Sequence, residues 1–381
     1  MEFSAPLATF IKPLQNICAI ASVAAANSDD ISQNVVLTVK DGTLTMRATN
    51  YRIELSYTVP VSTITDGEIL VLASKLRDTL SKLPQSSLVS FVCQDDGDDL
   101  TADLTVSTGQ TTYKIRTRSA ENFPDFDAAH EDVEQVIAIE QGKFRRIIER
   151  SLFCISQEEF REYLRGMRLE VEDDLLTVFT SDGHRMAMLE TTLSKPLAGN
   201  YGVTLIRPCA AELYKILENS DEVIELSFTK NTVSTVCNGF KLSSKLLICN
   251  FPNVRSVLPR DIKSAITVNR TEMKSEISKV AVLSSKRING VNLVFADGFL
   301  NLRSENSEHE VATSQMPINY QGTPADVTLN ASYVNEVLAA MDCEEVVFNF
   351  SQPIINALIT PADEGPDSKL HTRYIISRVV V

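Results

Sequence analysis

The 381 residues carry 36 Lys and Arg against 50 Asp and Glu, a formal net charge of −14. A chain this long exceeds one ordinary core and divides into two or three domains; 44% hydrophobic residues and no Trp give it aliphatic cores. The acidic balance excludes a phosphate-binding surface spread over the whole molecule, but one basic face on an otherwise acidic protein remains open.

The N-terminus, Met1-Glu-Phe-Ser-Ala-Pro6, lacks the basic region of a secretory leader, and the apolar run Ile17 to Ala26 is too short to span a bilayer. No membrane association is expected. Helical apolar spacing predicts a first helix over Leu7 to Ser22. Asn34-Val-Val-Leu-Thr-Val-Lys40 alternates as a strand, and Asp41-Gly-Thr-Leu-Thr-Met-Arg-Ala-Thr-Asn50 reads as a hairpin turn entering the next. A second helix is predicted over Ala73 to Leu83. The acidic run Asp95 to Asp99 lacks the closing Glu of a calcium loop and reads as an exposed hairpin tip. Asn122-Phe-Pro-Asp125 ends the stretch, and a polar joint follows at His130-Glu-Asp-Val133.

The same order then recurs. A helix is predicted over Gln141 to Ser156, with Phe144, Ile147, Ile148 and Leu152 on one face. Asp173 to Asp182 repeats the turn and strand, and Pro208 opens a helix over Cys209 to Asn219. Strands are predicted over Glu222 to Phe228 and Asn231 to Val236, then Asn250-Phe-Pro-Asn253 and a joint at Leu258-Pro-Arg-Asp-Ile-Lys263. The third round has a helix over Thr271 to Ser285, the turn and strand Asp297 to Asn306, a helix over Ala331 to Met341 capped by Asn330, and a strand over Glu344 to Phe350. Three copies in one order, about a domain length apart, predict three α+β domains, each with two helices on a mostly antiparallel sheet. Their bounds are 1–130, 131–262 and 263–381.

Chemistry-bearing motifs are few. Ser181-Asp-Gly-His-Arg185 holds the ingredients of a nucleophilic triad, but nearly adjacent in one strand-to-turn segment, where a triad needs convergence from separate elements. The readings are an Asp-Gly turn with a solvent-facing His184, a binding surface, or a hydrolase using Ser181 and His184. His130, His184, His309 and His371 have no partners at metal-ligand spacing, and no phosphate-binding glycine motif is present, so no metal or cofactor is expected. The seven Cys form no CxxC and read as reduced core residues of a cytosolic protein. Basic residues gather on predicted helices: Lys75, Arg77 and Lys82; Lys143, Arg145, Arg146 and Arg150; Arg270, Lys274, Lys279, Lys286 and Arg287. The helix after Asn330 breaks the trend, with Glu336 and Asp342.

Tyr163-Leu-Arg-Gly-Met-Arg-Leu-Glu170, Ser181-Asp-Gly-His-Arg-Met-Ala187, Asn250-Phe-Pro-Asn-Val-Arg-Ser-Val-Leu-Pro259 and Asn330-Ala-Ser-Tyr-Val-Asn-Glu-Val-Leu338 together resemble the DNA polymerase III beta subunit, the bacterial sliding clamp family. The resemblance runs nearly end to end and keeps motif order. It implies a non-catalytic processivity factor: a head-to-tail homodimeric ring around duplex DNA, with helices lining the pore. By motif, a pocket for partner peptides of the type Gln-x-Leu-x-Leu-Phe falls to Leu164, Ser181, Gly183, His184, Arg185, Met186, Pro252, Val257, Ile375 and Ser377, with Asn330 and Tyr333 bordering a second sub-pocket. The implied DNA-facing set is Lys75, Arg77, Lys143, Arg145, Arg146, Arg150, Tyr163, Lys274 and Lys279. The implied dimer joint sets Tyr113 and Lys75 against Val282, Leu283, Glu308 and Glu310. Implied partners are the polymerase III alpha subunit, the clamp loader and other proteins bearing the peptide motif, in the cytoplasm. The chain departs from the family where Ser377 and Arg378 replace a Met-Pro pair, and where the loop Asn27 to Gln33 lacks Arg. A divergent clamp with altered partners and a repetitive scaffold without DNA are the alternatives.

Overall fold

The structure is a computed structural model that describes residues 1–21, 30–94, 102–124, 126, 132–158, 160–197, 199–364 and 370–379. The acidic run at Asp95 to Asp99, the joint residue His130 and positions 27–29 of the Arg-free loop lie outside these residues. Six helices are present among the described residues: α1 (Leu7–Ile20), α2 (Ala73–Leu80), α3 (Gln141–Ser151), α4 (Arg207–Ile216), α5 (Arg270–Val280) and α6 (Ala331–Ala339). Each starts where a strand stops: Glu2–Pro6, Gly67–Leu72, Gln135–Glu140, Asn200–Ile206, Ser264–Asn269 and Ala325–Asn330, respectively. This strand-to-helix step, made twice in each third of the chain, is the structural form of the sequence repeat.

The helix starts are built in two ways. Asn269 and Asn330 accept backbone N–H bonds through their side chains, as N-caps do, whereas Pro6, Leu72 and Glu140 provide no side-chain cap. The predicted helix ends run long. The Leu-Phe-Cys and Ala-Val-Leu tails form 3-10 turns, Leu152–Cys154 and Ala281–Leu283, that tighten the last turn and use carbonyls the α-helix leaves unpaired.

Asp41-Gly42 and Asp297-Gly298 both take positive φ at both residues (49° and 76°; 50° and 80°), the two-residue hairpin geometry whose twist matches the flanking strands. In the middle copy only Asp173 does so, at 57°. A further turn of this kind, Asn238-Gly239, joins Thr232–Cys237 to Phe240–Lys245.

Two compact units share the chain, and they do not follow its thirds. One comprises Met1–Ala138 with Lys215–Glu218 and Ile224–Leu246; the other comprises Ile139–Tyr214, Asn219–Val223 and Leu247–Val381. In the first, Phe240–Lys245 from the middle third hydrogen-bonds to Ile53–Pro60 from the first, extending a sheet of 13 strands. In the second, Arg185–Thr192 pairs with Leu370–Ser377, placing middle-third and last-third strands in one sheet of 8. A sheet of 4 strands completes that unit, with Val311–Pro317 at its edge. Sheet continuity across the repeats leaves fewer open edges than three separately closed domains would.

Candidate functional site

The sheet of 8 strands has one face that carries the apolar part of the predicted pocket. Antiparallel register sets Ser181 opposite Met186, Met186 opposite Ile375, and Ile375 opposite Leu358. The next row sets Phe179 opposite Met188. Period-two alternation puts these residues on one face, where Phe179, Met186, Met188, Leu358 and Ile375 form one apolar cluster. Phe251, Val254 and Leu258, from the segment after Asn250, pack against it half-buried. Beside them Val257 is 43% exposed and Pro252 is exposed, so apolar surface continues outward from the cluster.

The Ser181–Arg185 turn closes one end. Ser181 Oγ donates to the Arg185 carbonyl at 2.8 Å and accepts from the Gly183 N–H at 3.1 Å. Its hydroxyl is therefore engaged within the turn, away from the His184 ring. Asp182 Oδ1 accepts the N–H groups of His184 and Arg185, both at 2.9 Å. Gly183 needs its φ of +88°, and a Cβ there would meet the Arg161 guanidinium, which lies across it beside Leu164. His184 is exposed, and its ring lies near-parallel to Tyr333 at 6.3 Å. Burial raises the Tyr333 hydroxyl above its ordinary pKa, with Asp182 adding to the shift.

Arg185 behaves differently from the pocket wall the resemblance implies. Its guanidinium is buried, bonded to Asp182 at 3.0 Å, Glu336 at 2.6 Å and the Phe153 carbonyl at 2.9 Å. It sits over the Phe153 ring at 5.0 Å and the Tyr333 ring at 4.4 Å. Arg185 is a strut tying the turn to α6 and to the end of α3. Asn330 is likewise occupied: its Oδ1 caps α6 through the Tyr333 N–H, and its Nδ2 donates to the Ile288 carbonyl. Ser377 is half-buried, and its N–H donates to the His184 carbonyl at 2.9 Å.

The sequence missed Phe179, Met188, Leu358, Phe251, Val254 and Leu258. Phe179 and Met188 were within reach through two-residue spacing from Ser181 and Met186. Leu358 required the register of Asn356–Pro361 against Leu370–Ser377, which no local motif encodes.

The implied DNA-facing residues differ in exposure. Lys75, Arg77, Lys274, Lys279 and Tyr163 are exposed; Lys143, Arg145 and Arg146 are half-buried. Arg150 is a correction: it is buried, bonded to Asp342 at 3.0 Å and Thr372 at 3.3 Å, so packing against the sheet removes its guanidinium from the helix surface. Arg145 stacks on Tyr214, 4.4 Å from the ring centre. Lys75 lines a small polar cavity with Asp30, Arg116 and Arg118.

Of the implied dimer residues, Val282 is 78% exposed, Leu283 and Tyr113 are half-buried, and Glu308 and Glu310 stand at an exposed hairpin tip closed by Asn306. Tyr113 lies on Thr111–Arg118, which pairs with Asp103–Thr108 along its length but with Gly67–Leu72 only through Thr117 and Arg118. Among the described residues, no group of three His, Cys, Asp or Glu could hold a metal, and no helix is long and apolar enough to cross a membrane.

Comparison with known proteins gives this geometry its context. The N-terminal, central and C-terminal domain models of the DNA polymerase III beta subunit match residues 1–127, 138–253 and 255–372. The chain is 29% identical to the beta sliding clamp of Haemophilus influenzae over 368 residues, 96% of this chain and 97% of that one. It is 29% identical to that of Pseudomonas aeruginosa over 364 residues, 95% and 96% of the two chains. The crystal structure of a DnaN sliding clamp from Pseudomonas aeruginosa bound to griselimycin superposes with a TM-score of 0.91, covering 100% of both chains at 27% identity. The chain belongs to the DNA polymerase III beta subunit family of non-catalytic DNA sliding clamps.

Proposed function

We propose that this chain closes as a head-to-tail homodimer around duplex DNA in the cytoplasm, holds the DNA without reading bases, and tethers a replicative polymerase through the Met186–Ile375 groove. The proposed domains are 1–130, 131–262 and 263–381. The observation that carries the tethering is the apolar row Met186, Ile375 and Leu358, with half-buried Phe251, Val254 and Leu258 packed against its cluster. These three side chains of the row are buried, and a short peptide with Leu and Phe anchors would reach them by way of the half-buried Phe251, Val254 and Leu258 and the exposed Val257; such anchors supply most of the affinity at a small interface. His184 and Tyr333 offer an aromatic wall at the turn end.

Ring closure is supported by two open edges. Among the described residues, Thr111 to Arg116 pairs with a strand on one side only, and Val311–Pro317 ends its sheet. Pairing the edge of one copy with that of the next protects both and closes at two copies. Exposed Val282 and half-buried Leu283 and Tyr113 would supply the apolar part of that joint, and Glu308 and Glu310 an acidic rim.

Calorimetry with the hexapeptide Gln-Ser-Leu-Ser-Leu-Phe, blocked at both ends, tests the groove. Wild type should bind and Met186→Lys should not, because a charge in an apolar floor is not solvated there. Equal affinities would put the site elsewhere. Retention of the protein on nicked circular DNA, and its release on linearisation, tests topological binding.

A further inference from the structure

Beyond the apolar floor, the same sheet face turns charged. Arg168, Phe179, Met188 and Arg373 form one cross-strand row, and Glu170, Thr177 and Glu190 lie in the next. Arg168 Nε bonds to Glu170 at 3.3 Å, and Arg373 bonds to Glu190. Into this array comes one residue from outside the sheet. Arg255, in the 3-10 turn Val254–Val257, places Nη2 3.5 Å from Glu170 and 3.5 Å from Thr177 Oγ1, and Nη1 3.9 Å from Glu190. Its guanidinium centre stands 5.0 Å from the centre of the Phe179 ring, a floor residue of the groove. On the far side Arg168 covers Phe251 at 5.6 Å.

The turn that carries Arg255 is not a strand of the sheet. Its backbone bonds run within the turn, from the Ser256 N–H to the Asn253 carbonyl and from the Leu258 N–H to the Arg255 carbonyl. Among the described residues, its polar ties to the rest of the unit are the Arg255 contacts and a bond from Asn356 Nδ2 to the Val257 carbonyl at 3.1 Å. The apolar contacts of Val254 and Leu258 hold the turn down but leave it free to slide, because dispersion and burial are not directional. A long hydrogen bond to Glu170 and an ion-pair contact with Glu190, on different strands, restrict where one planar guanidinium can sit.

We propose that Arg255 is the positioning residue of the partner groove: it latches the Val254–Val257 turn onto Glu170, Glu190 and Phe179, and so sets where Val254 and the exposed Val257 stand relative to the Met186–Ile375 cluster. The proposal rests on the groove reading above. It assigns Arg255 no contact with the peptide. An uncharged peptide should therefore bind with an affinity that depends on ions it does not itself carry.

The test is calorimetry with the same blocked, uncharged hexapeptide on wild type, Arg255→Ala, Arg255→Lys, Glu170→Gln/Glu190→Gln and the combination of the carboxylate changes with Arg255→Ala. Arg255→Ala should weaken binding on the order of tenfold. Arg255→Lys, which keeps the charge over Phe179 but not the fork, should recover part of the loss. The carboxylate double variant should also weaken binding, and adding Arg255→Ala to it should cost nothing more, the non-additivity expected of one network. Raising sodium chloride should weaken binding to wild type and leave Arg255→Ala unchanged, a difference that simple loss of packing would not produce. If Met186→Lys abolishes binding while Arg255→Ala binds as wild type, the latch is overturned and the groove stands. If Met186→Lys binds as wild type, both fall.

Discussion

Replacing Arg185 with Met should loosen the second unit and blunt peptide binding together. The guanidinium makes three bonds, and its side chain is 8% exposed against 18% for Asp182 and 48% for Glu336. Glu336 can turn to water, so its pair contributes only about 0.5 kcal/mol. Asp182 is more enclosed, and losing a charge-assisted bond there costs about 2 kcal/mol; the Phe153 carbonyl adds roughly 1 kcal/mol. Met refills the aliphatic volume but not the stacking between Phe153 and Tyr333. The sum is about 3.5 kcal/mol, within the range for breaking a buried pair. For a unit of this size that corresponds to a fall in melting temperature of about 10 °C. Scanning calorimetry on wild type, Arg185→Met and Glu336→Gln measures it, and Glu336→Gln should shift little. An Arg185→Met protein that melts within about 2 °C of wild type would refute the strut, because no partial compensation by Met reaches that far.

Three further outcomes follow from particular contacts. Gly183→Ala must hold a positive φ and displace the Arg161 guanidinium, so it should destabilise by about 1 kcal/mol and weaken the hexapeptide in calorimetry; unchanged affinity would free the turn from the site. Leu283→Ala should raise the monomer fraction in sedimentation at low concentration, while wild type sediments at about twice 42.1 kDa with little dependence on salt, the rim charges contributing mainly orientation. Hydrogen bonds from Lys279 and from Ser314 hold the Glu276 carboxyl below its ordinary value of 4.5. Its contribution is present above 4.5 and lost as pH falls through the lower folded value, so the stability gap between wild type and Glu276→Gln should shrink on acidification below 4.5. A gap that stays constant through that window would remove the carboxylate from the tie between α5 and the Val311–Pro317 edge.

Local patterns expose the repeat and leave the partition of the chain hidden. Asp41-Gly42 and Asp297-Gly298 announce hairpins because few residues tolerate positive φ at both turn positions, and the structure has both. The six helices are legible from apolar spacing, with α4 starting two residues before the predicted Cys209 and the predicted ends running long, since the apolar pattern of Leu152 and Ala281 continues through the 3-10 geometry. That Phe240–Lys245 joins Ile53–Pro60, and Arg185–Thr192 joins Leu370–Ser377, depends on long-range register, on which hairpin signals are silent. The same limit governs the site. Met186 and Ile375 are assigned by the family resemblance, and Phe251 and Arg255 lie within a quoted motif that does not reveal what they touch, whereas Leu358 belongs to the groove only because distant strands meet there. The resemblance assigns Arg185 to the pocket wall, and nothing in the local motif shows that its guanidinium is buried; Asp182 and Glu336 offset the cost of that burial.

The charge pattern of the proposed DNA face bears on how a ring could slide. Lys143 bonds to Glu140 and Lys279 to Glu276, each at 2.6 Å, and Arg77 pairs with Asp78 at 2.9 Å. Arg150 faces inward, and Arg145 leans on Tyr214. A cation beside its own carboxylate acts at distance as a dipole, and its attraction for phosphate decays faster than that of a lone charge. Strong phosphate contacts would fix the duplex in discrete positions and make binding fall steeply with salt. In the proposed ring, paired cations would give shallow attraction instead, and closure would provide retention. The net charge of −14 is then compatible with a DNA clamp, because in the proposed ring topology would supply the persistence that charge would otherwise have to provide.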